Sequence, residues 1–271
     1  MSNIDVSQLI REINAYGYTI IPGGNPNYKE SLDQITLINE KLKDQSNKSL
    51  HAERSADNIV YNLQNKHENF VHILRNKFVE QIAHHFLSDE FYQVMSKDKP
   101  NYILSYYNAR SSGKFLDLHI DTHVPAHGDF TWAMQAAYVL EDMDEQNGCT
   151  VVVPGSHMFG KYTDRELTKR IPIIAKAGDI VMWDSRLWHG TLDNISGKSR
   201  WVLIATFTRW WVKQSMDMTR GLPQEIYDKL DEAEKLLLGF CSIPPSDETG
   251  SIHTKKDYSS LLRNVTDYYK Q

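Results

Sequence analysis

His119 and Asp121 stand two residues apart, so on a β-strand both side chains leave the same face. A second imidazole, His189, comes from a distant segment. Two neutral nitrogens and one carboxylate are the ligand set of the facial triad. That triad holds a non-haem Fe(II) and leaves positions open for oxygen chemistry. Arg200 follows His189 by eleven residues, on what reads as the next strand. A guanidinium there can clamp the carboxylate of a second ligand bidentately. The combination points to Fe(II) with 2-oxoglutarate as cosubstrate and O2 as co-reactant. His-x-Asp alone is a weak signal, since such a pair also occurs on solvated strand edges. Here it ends a strand where the chain turns polar, and His189 follows a buried-looking run, Trp183-Asp184-Ser185-Arg186-Leu187-Trp188.

The elements that must hold these groups change character near Pro100. Before it, Val6, Leu9, Ile10 and Ile13 recur at helical spacing, Tyr18–Ile21 reads as a short strand, and Leu32, Ile35 and Leu42 mark a second helix. Val71, Leu74, Phe78 and Ile82 mark a third, while residues 44–62 form a weakly patterned candidate lid. After Pro100, β-branched and aromatic runs begin at Tyr102, Phe115, Thr131, Thr150, Ile171, Asp179 and Arg200, separated by turn residues. Strands without long intervening helices predict an all-β core with flanking helices, a jelly roll of the cupin-like, double-stranded β-helix kind. Residues 222–240 read as one amphipathic helix with Pro223 in its first turn. The expected organisation is a single domain over 1–271: N-terminal helices to about 100, the core at about 101–212, and a helical extension over 213–271.

The 271 residues, 41% hydrophobic and 24% charged, suffice for a real core. A net charge of −5 without a basic stripe argues against nucleic acid. No apolar run approaches the roughly 18 residues of a membrane span, and Met1–Asp5 lacks the marks of a leader. The expected setting is the cytoplasm, with Cys149 and Cys241 as buried thiols. Oligomeric state is not legible.

The segment Asn147 to His157, Asn-Gly-Cys-Thr-Val-Val-Val-Pro-Gly-Ser-His, resembles a signature of the phytanoyl-CoA dioxygenase-like (PhyH) family. Asp179 to Arg200 is similar to that family's Gly-Asp strand, distal His and trailing Arg, and Ala15–Pro22 resembles its N-terminal opening. The resemblance is strongest from about 102 to 210, thin over 24–100 and absent after 220. It implies a double-stranded β-helix, Fe(II) on His119, Asp121 and His189, and Arg200 on the distal carboxylate of 2-oxoglutarate. Thr191 matches a position where the family often has a hydroxyl serving the same carboxylate. One departure stands out. Many relatives carry a Lys and prolines after the strand preceding the metal motif, where this chain has Tyr107-Asn108-Ala109-Arg110. Asn108 either replaces that Lys on the cosubstrate or is a strand-end turn residue.

Other neighbours are candidates for the substrate. His123 and His127 could approach metal or substrate, or be solvated loop imidazoles. Trp132 and Gln135 could face the cavity, or Gln135 could lie on the outer face. Arg110, Lys114, Arg186 and Lys198 read as surface charge, but several of them on a pocket rim would favour an anionic substrate. The expected reaction hydroxylates an unactivated C–H bond of a small-molecule metabolite and releases succinate and CO2. Desaturation, cyclisation or epimerisation would use the same site. Retention of Asp121 argues against a halogenase. The competing class is a non-catalytic jelly roll acting as sensor or binding module, whose mark would be a lost ligand or lost Arg; neither is lost. A Zn or Mn cupin would leave Arg200 without a role.

Overall fold

The computed structural model describes residues 4–45, 58–89, 99–111, 114–162 and 169–243. Asp5 starts the first helix by accepting from the Ser7 amide at 2.9 Å. Helix α1 (Val6–Tyr16) buries Leu9 and Ile13 and stops at Gly17, whose φ of +86° a side chain would strain. Strand β1 (Tyr18–Ile21) and helix α2 (Tyr28–Gln45) follow. The single helix expected across Val71–Ile82 is instead two. Helix α3 (Asn69–His72) runs into a tight turn, and Asn76 opens α4 (Lys77–Leu87) by accepting from the Phe78 and Val79 amides. An asparagine that satisfies helix-start amides breaks the run despite the continuous apolar spacing.

Six strands make one antiparallel sheet: β1, then β2 (Ile59–Tyr61), β3 (Tyr102–Arg110), β5 (Ala133–Val139), β8 (Ile180–Asp184) and β10 (Val202–Arg209). Their order is β1-β8-β5-β10-β3-β2. The second sheet is β4-β9-β6-β7, built from β4 (Leu116–His119), β6 (Thr150–Val152), β7 (Ile171–Pro172) and β9 (His189–Thr191). This is the expected jelly roll. Two of its strands, β2 and β9, were not legible as strands. Ile59–Tyr61 thus pairs with β3 and is no part of a lid, and residues 46–57 of that expected lid lie outside the described residues.

The two faces of the large sheet have different duties. On β5 every residue is buried, because helices cover one side and the second sheet the other. Met134, Ala136 and Tyr138 join Leu9, Ile13, Ile82 and Leu203 in the larger core. Ala137 and Val139 instead pack with Val181, Trp183, Val152 and Cys149 between the sheets. A register shift between Thr206 and Phe207 leaves Ser105 of β3 without a partner. Such a bulge switches the parity of a strand. Tyr102 and Leu104 face the helices before it, and so do Tyr107 and Ala109 after it. Tyr106, Asn108 and Arg110 are thereby turned inward.

The C-terminal helix expected over 222–240 is also two pieces, α5 (Gln224–Tyr227) and α6 (Glu232–Leu237). Pro223 caps the first, and Asp231 opens the second with a capping box to Glu234. Ile226, Leu230 and Leu237 still join the larger core, so these helices buttress the outer face. Both cysteines are free and buried. No helix among the described residues is long and apolar enough to cross a membrane.

Candidate metal centre

Antiparallel pairing sets His119 at the end of β4 directly opposite His189 at the start of β9, with ring centroids 4.3 Å apart. Asp121 lies just beyond β4, held by its amide donating to the Ser185 carbonyl at 2.9 Å. Its Oδ1 is 3.6 Å from His119 Nε2 and its Oδ2 is 3.3 Å from His189 Nε2. One ligand atom from each residue falls within 4.8 Å of the others. Strand pairing thus joins the three residues singled out from the sequence.

The surroundings fix which atoms are available. His119 Nδ1 bonds the Asp117 carbonyl and His189 Nδ1 the Leu187 carbonyl, both at 2.9 Å. A carbonyl can only accept, so each Nδ1 carries the hydrogen and each Nε2 offers its lone pair inward. Burial favours a neutral His189 and pushes its pKa down. At His119 burial also pulls down, but hydrogen bonds to Asp121 and Asp117 outweigh it and the pKa rises. Burial would raise the Asp121 pKa, yet the facing His189 and the His119 hydrogen bond hold it at about 2. The set is therefore two imidazoles around an ionised carboxylate, which suits Fe(II).

A cavity of about 340 Å³ opens from this cluster, lined also by Asn108, Gln135, Thr191 and Arg200. Arg200 is 4% exposed. Its backbone amide donates to Ser111 Oγ at 2.8 Å, Nη1 meets the Met143 sulfur at 3.8 Å, and Nε is buried without a partner. Burial draws its pKa down to about 10, which still leaves it a cation at neutral pH. Asn108 is also buried; its Oδ1 accepts from Arg110 Nε at 2.8 Å and its Nδ2 has no partner. Gln135 donates to Asp121 Oδ2 at 2.9 Å and accepts from Thr206 Oγ1 at 2.7 Å. A larger groove of about 1000 Å³ lies among the helices and contains none of these groups.

Other expectations need correction. Trp132 does not line the cavity; it is 44% exposed and packs edge-on to Phe130 and Trp211. It precedes Gln135 by three residues, and alternation sends residues three apart to opposite faces. His123 is exposed in a left-handed turn with φ +60°, its carbonyl accepting from the Tyr162 hydroxyl, and is not among the lining residues. His127 is likewise exposed. Arg186 is no surface charge: it is 3% exposed and grips Asp184 with Nε and Nη2 at 2.9 and 2.7 Å. Lys198 is off the cavity, whereas Arg110 and Lys114 line it. Tyr106 and Thr206 also line the cavity; only the bulge shows that Tyr106 of β3 faces in, and Thr206 is its partner on β10.

Residues 13–202 match the model of the phytanoyl-CoA dioxygenase (PhyH) family. The chain belongs to that family. It is 30% identical over 141 residues to dioxygenase af480 of Aspergillus fumigatus, a match covering 50% of this chain and 46% of that protein. The matched segment thus spans under half of this curated relative. Among solved structures, HygX of Streptomyces hygroscopicus, with nickel and 2-oxoglutarate bound, aligns at TM-score 0.57 and 15% identity over 76% of this chain and 88% of its own. The non-haem α-ketoglutarate-dependent epimerase SnoN from nogalamycin biosynthesis aligns at 0.51 and 16% over 75% and 80%. These likenesses establish the jelly-roll fold.

Proposed function

We propose that this chain is an Fe(II)- and 2-oxoglutarate-dependent oxygenase that hydroxylates an unactivated C–H bond of a small-molecule substrate. The observation that carries the reading is the company of two features in one cavity: a His-Asp-His cluster, and a buried guanidinium that no second carboxylate among the described lining residues matches. A buried cation is costly unless an anion meets it. The distal carboxylate of 2-oxoglutarate is the partner whose other end would reach the metal. Family membership and the ligands named for HygX support the same choice.

In this reading His119, Asp121 and His189 hold Fe(II) through two Nε2 atoms and a carboxylate oxygen, their orientation set by the Asp117 and Leu187 carbonyls and by Gln135. Bound iron supplies oxygen activation, in which 2-oxoglutarate is oxidised to succinate and CO2 and one oxygen atom passes to the substrate. Arg200 holds the distal carboxylate, and Thr191 lines the same cavity. Asn108 offers its unpartnered Nδ2 to a cosubstrate oxygen. Trp183 lines the cavity with its ring 5.4 Å from that of His189 by centroids. Asp121 retains its coordinating carboxylate, so no ligand position is vacated for a halide.

The test is anaerobic reconstitution with Fe(II), then oxygen exposure with 2-oxoglutarate and a panel of small metabolites. Succinate release and a product heavier by one oxygen are expected. His119→Ala should lose tight iron binding and succinate release while staying folded; normal iron content in that variant refutes the triad. A product of unchanged mass would move the reaction to epimerisation, the chemistry named for SnoN.

A further inference from the structure

Arg110 ends β3 on its inward face, in line with Tyr106 and Asn108. Its Nε donates to Asn108 Oδ1 at 2.8 Å, and Tyr106, four residues back, lines the same cavity. Arg110 thus shares one cavity with Asp121, His119 and His189. Its hydrogen-bond partner Asn108 is neutral, and Asp121 is the one carboxylate among the described residues lining the cavity.

The net charge of the loaded cavity sets the substrate's character. The two positive charges of Fe(II) are offset by the two negative charges of 2-oxoglutarate. Arg110 and Arg200 remain against Asp121 alone, which leaves one positive charge in a confined space. Lys114 stands on the same rim. Around them Ile59, Phe115 and Leu116 line the wall, and the last two are 44% and 41% exposed. This is a cation beside an apolar rim at the β2–β3 edge, and Arg200 is already engaged in holding the cosubstrate.

We propose that the substrate of the oxygenase is an anion, a carboxylate or phosphate on an apolar body, and that Arg110 binds its charged group. The inference rests on the oxygenase reading and deepens it. A guanidinium recognises either oxyanion through paired donors, and an apolar body against Phe115 would carry its C–H bonds toward the metal.

The test uses matched pairs on protein loaded anaerobically with Fe(II) and 2-oxoglutarate: 4-phenylbutyrate and its amide, N-acetylphenylalanine and its amide, benzyl phosphate and benzyl alcohol. Binding is read by calorimetry. In the wild type the anions should bind roughly tenfold or more tightly than their neutral partners. Arg110→Gln should erase that difference, Arg110→Lys should restore part of it, and the KM for 2-oxoglutarate should change by a smaller factor. Equal binding of acid and amide, or no binding of any anion, overturns the proposal without needing a variant that folds. An Arg110→Gln defect as large for 2-oxoglutarate as for the acids assigns Arg110 to the cosubstrate and overturns it too. Iron content and 2-oxoglutarate consumption of the wild type test the oxygenase reading separately, whichever way the paired comparison falls.

Discussion

Gln135 donates its side-chain amide to Asp121 Oδ2, the carboxylate oxygen that also faces His189. The same amide's oxygen accepts from Thr206, so Gln135 is fixed at both ends and can hold Asp121 in one orientation. Partners that orient a metal ligand typically govern its affinity by about 10–100-fold. Gln135→Leu should weaken Fe(II) binding within that range while leaving the fold intact. Competition against a chelator of known affinity measures it. An unchanged iron affinity would return Gln135 to a substrate-facing role.

The site was more legible than the frame. His119, Asp121 and His189 could be read because period-two alternation and ligand chemistry both act over short spans. Asn108 and Arg200 came from resemblance and spacing, and the structure places both in the cavity. Trp132 and Gln135 were grouped only because they share a run, although residues three apart on a strand face opposite ways. The inward side of β3 was hidden, since the bulge at Ser105 is a pairing event with β10 and leaves no local mark. Likewise the breaks at Asn76 and Asp231 are capping decisions by single side chains inside apolar periodicity that continues across them.

Arg200→Ala should raise the KM for 2-oxoglutarate well over tenfold, since removing one partner of a buried charge pair costs roughly 2–5 kcal/mol. Steady-state succinate release against 2-oxoglutarate concentration reads it. Arg209 is no substitute anchor: it is not among the residues lining the cavity, and its Nε, Nη1 and Nη2 each donate to a carbonyl, of Thr131, Ser88 and Phe86. An unchanged KM would break the link between the buried guanidinium and the cosubstrate.

Gly190 sits between His189 and Thr191 where β9 crosses β4. A Cβ there would lie 2.4 Å from the Leu116 carbonyl oxygen and 3.3 Å from that of Asp117. The Asp117 carbonyl is the one that orients His119. Gly190→Ala should therefore push the two strands apart, costing about 1–3 kcal/mol as overpacking does, and disturb both histidines at once. Thermal unfolding and iron titration should fall together. Loss of stability with wild-type iron affinity would show that the strands can part without moving the ligands.

The turn from β8 to β9 holds the centre from behind, and one buried ion pair holds the turn. Asp184 accepts from Arg186 Nε, Nη2 and backbone amide, and from Thr131 Oγ1 at 2.9 Å. Arg186 Nη1 also reaches the Gly128 carbonyl at 2.6 Å, tying in the loop after Asp121. Between the two charged residues lies Ser185, whose carbonyl accepts from the Asp121 amide. Removing the guanidinium strands a carboxylate in the interior, a loss of about 3–5 kcal/mol. Arg186→Met should accordingly lower the midpoint of thermal unfolding sharply and loosen Asp121. Adding Asp184→Leu removes the stranded charge and should recover much of the stability without recovering iron affinity, because the tie to Gly128 stays broken. If the double variant is as unstable as the single one, the cost lies in packing around the turn and the charge argument for this segment fails.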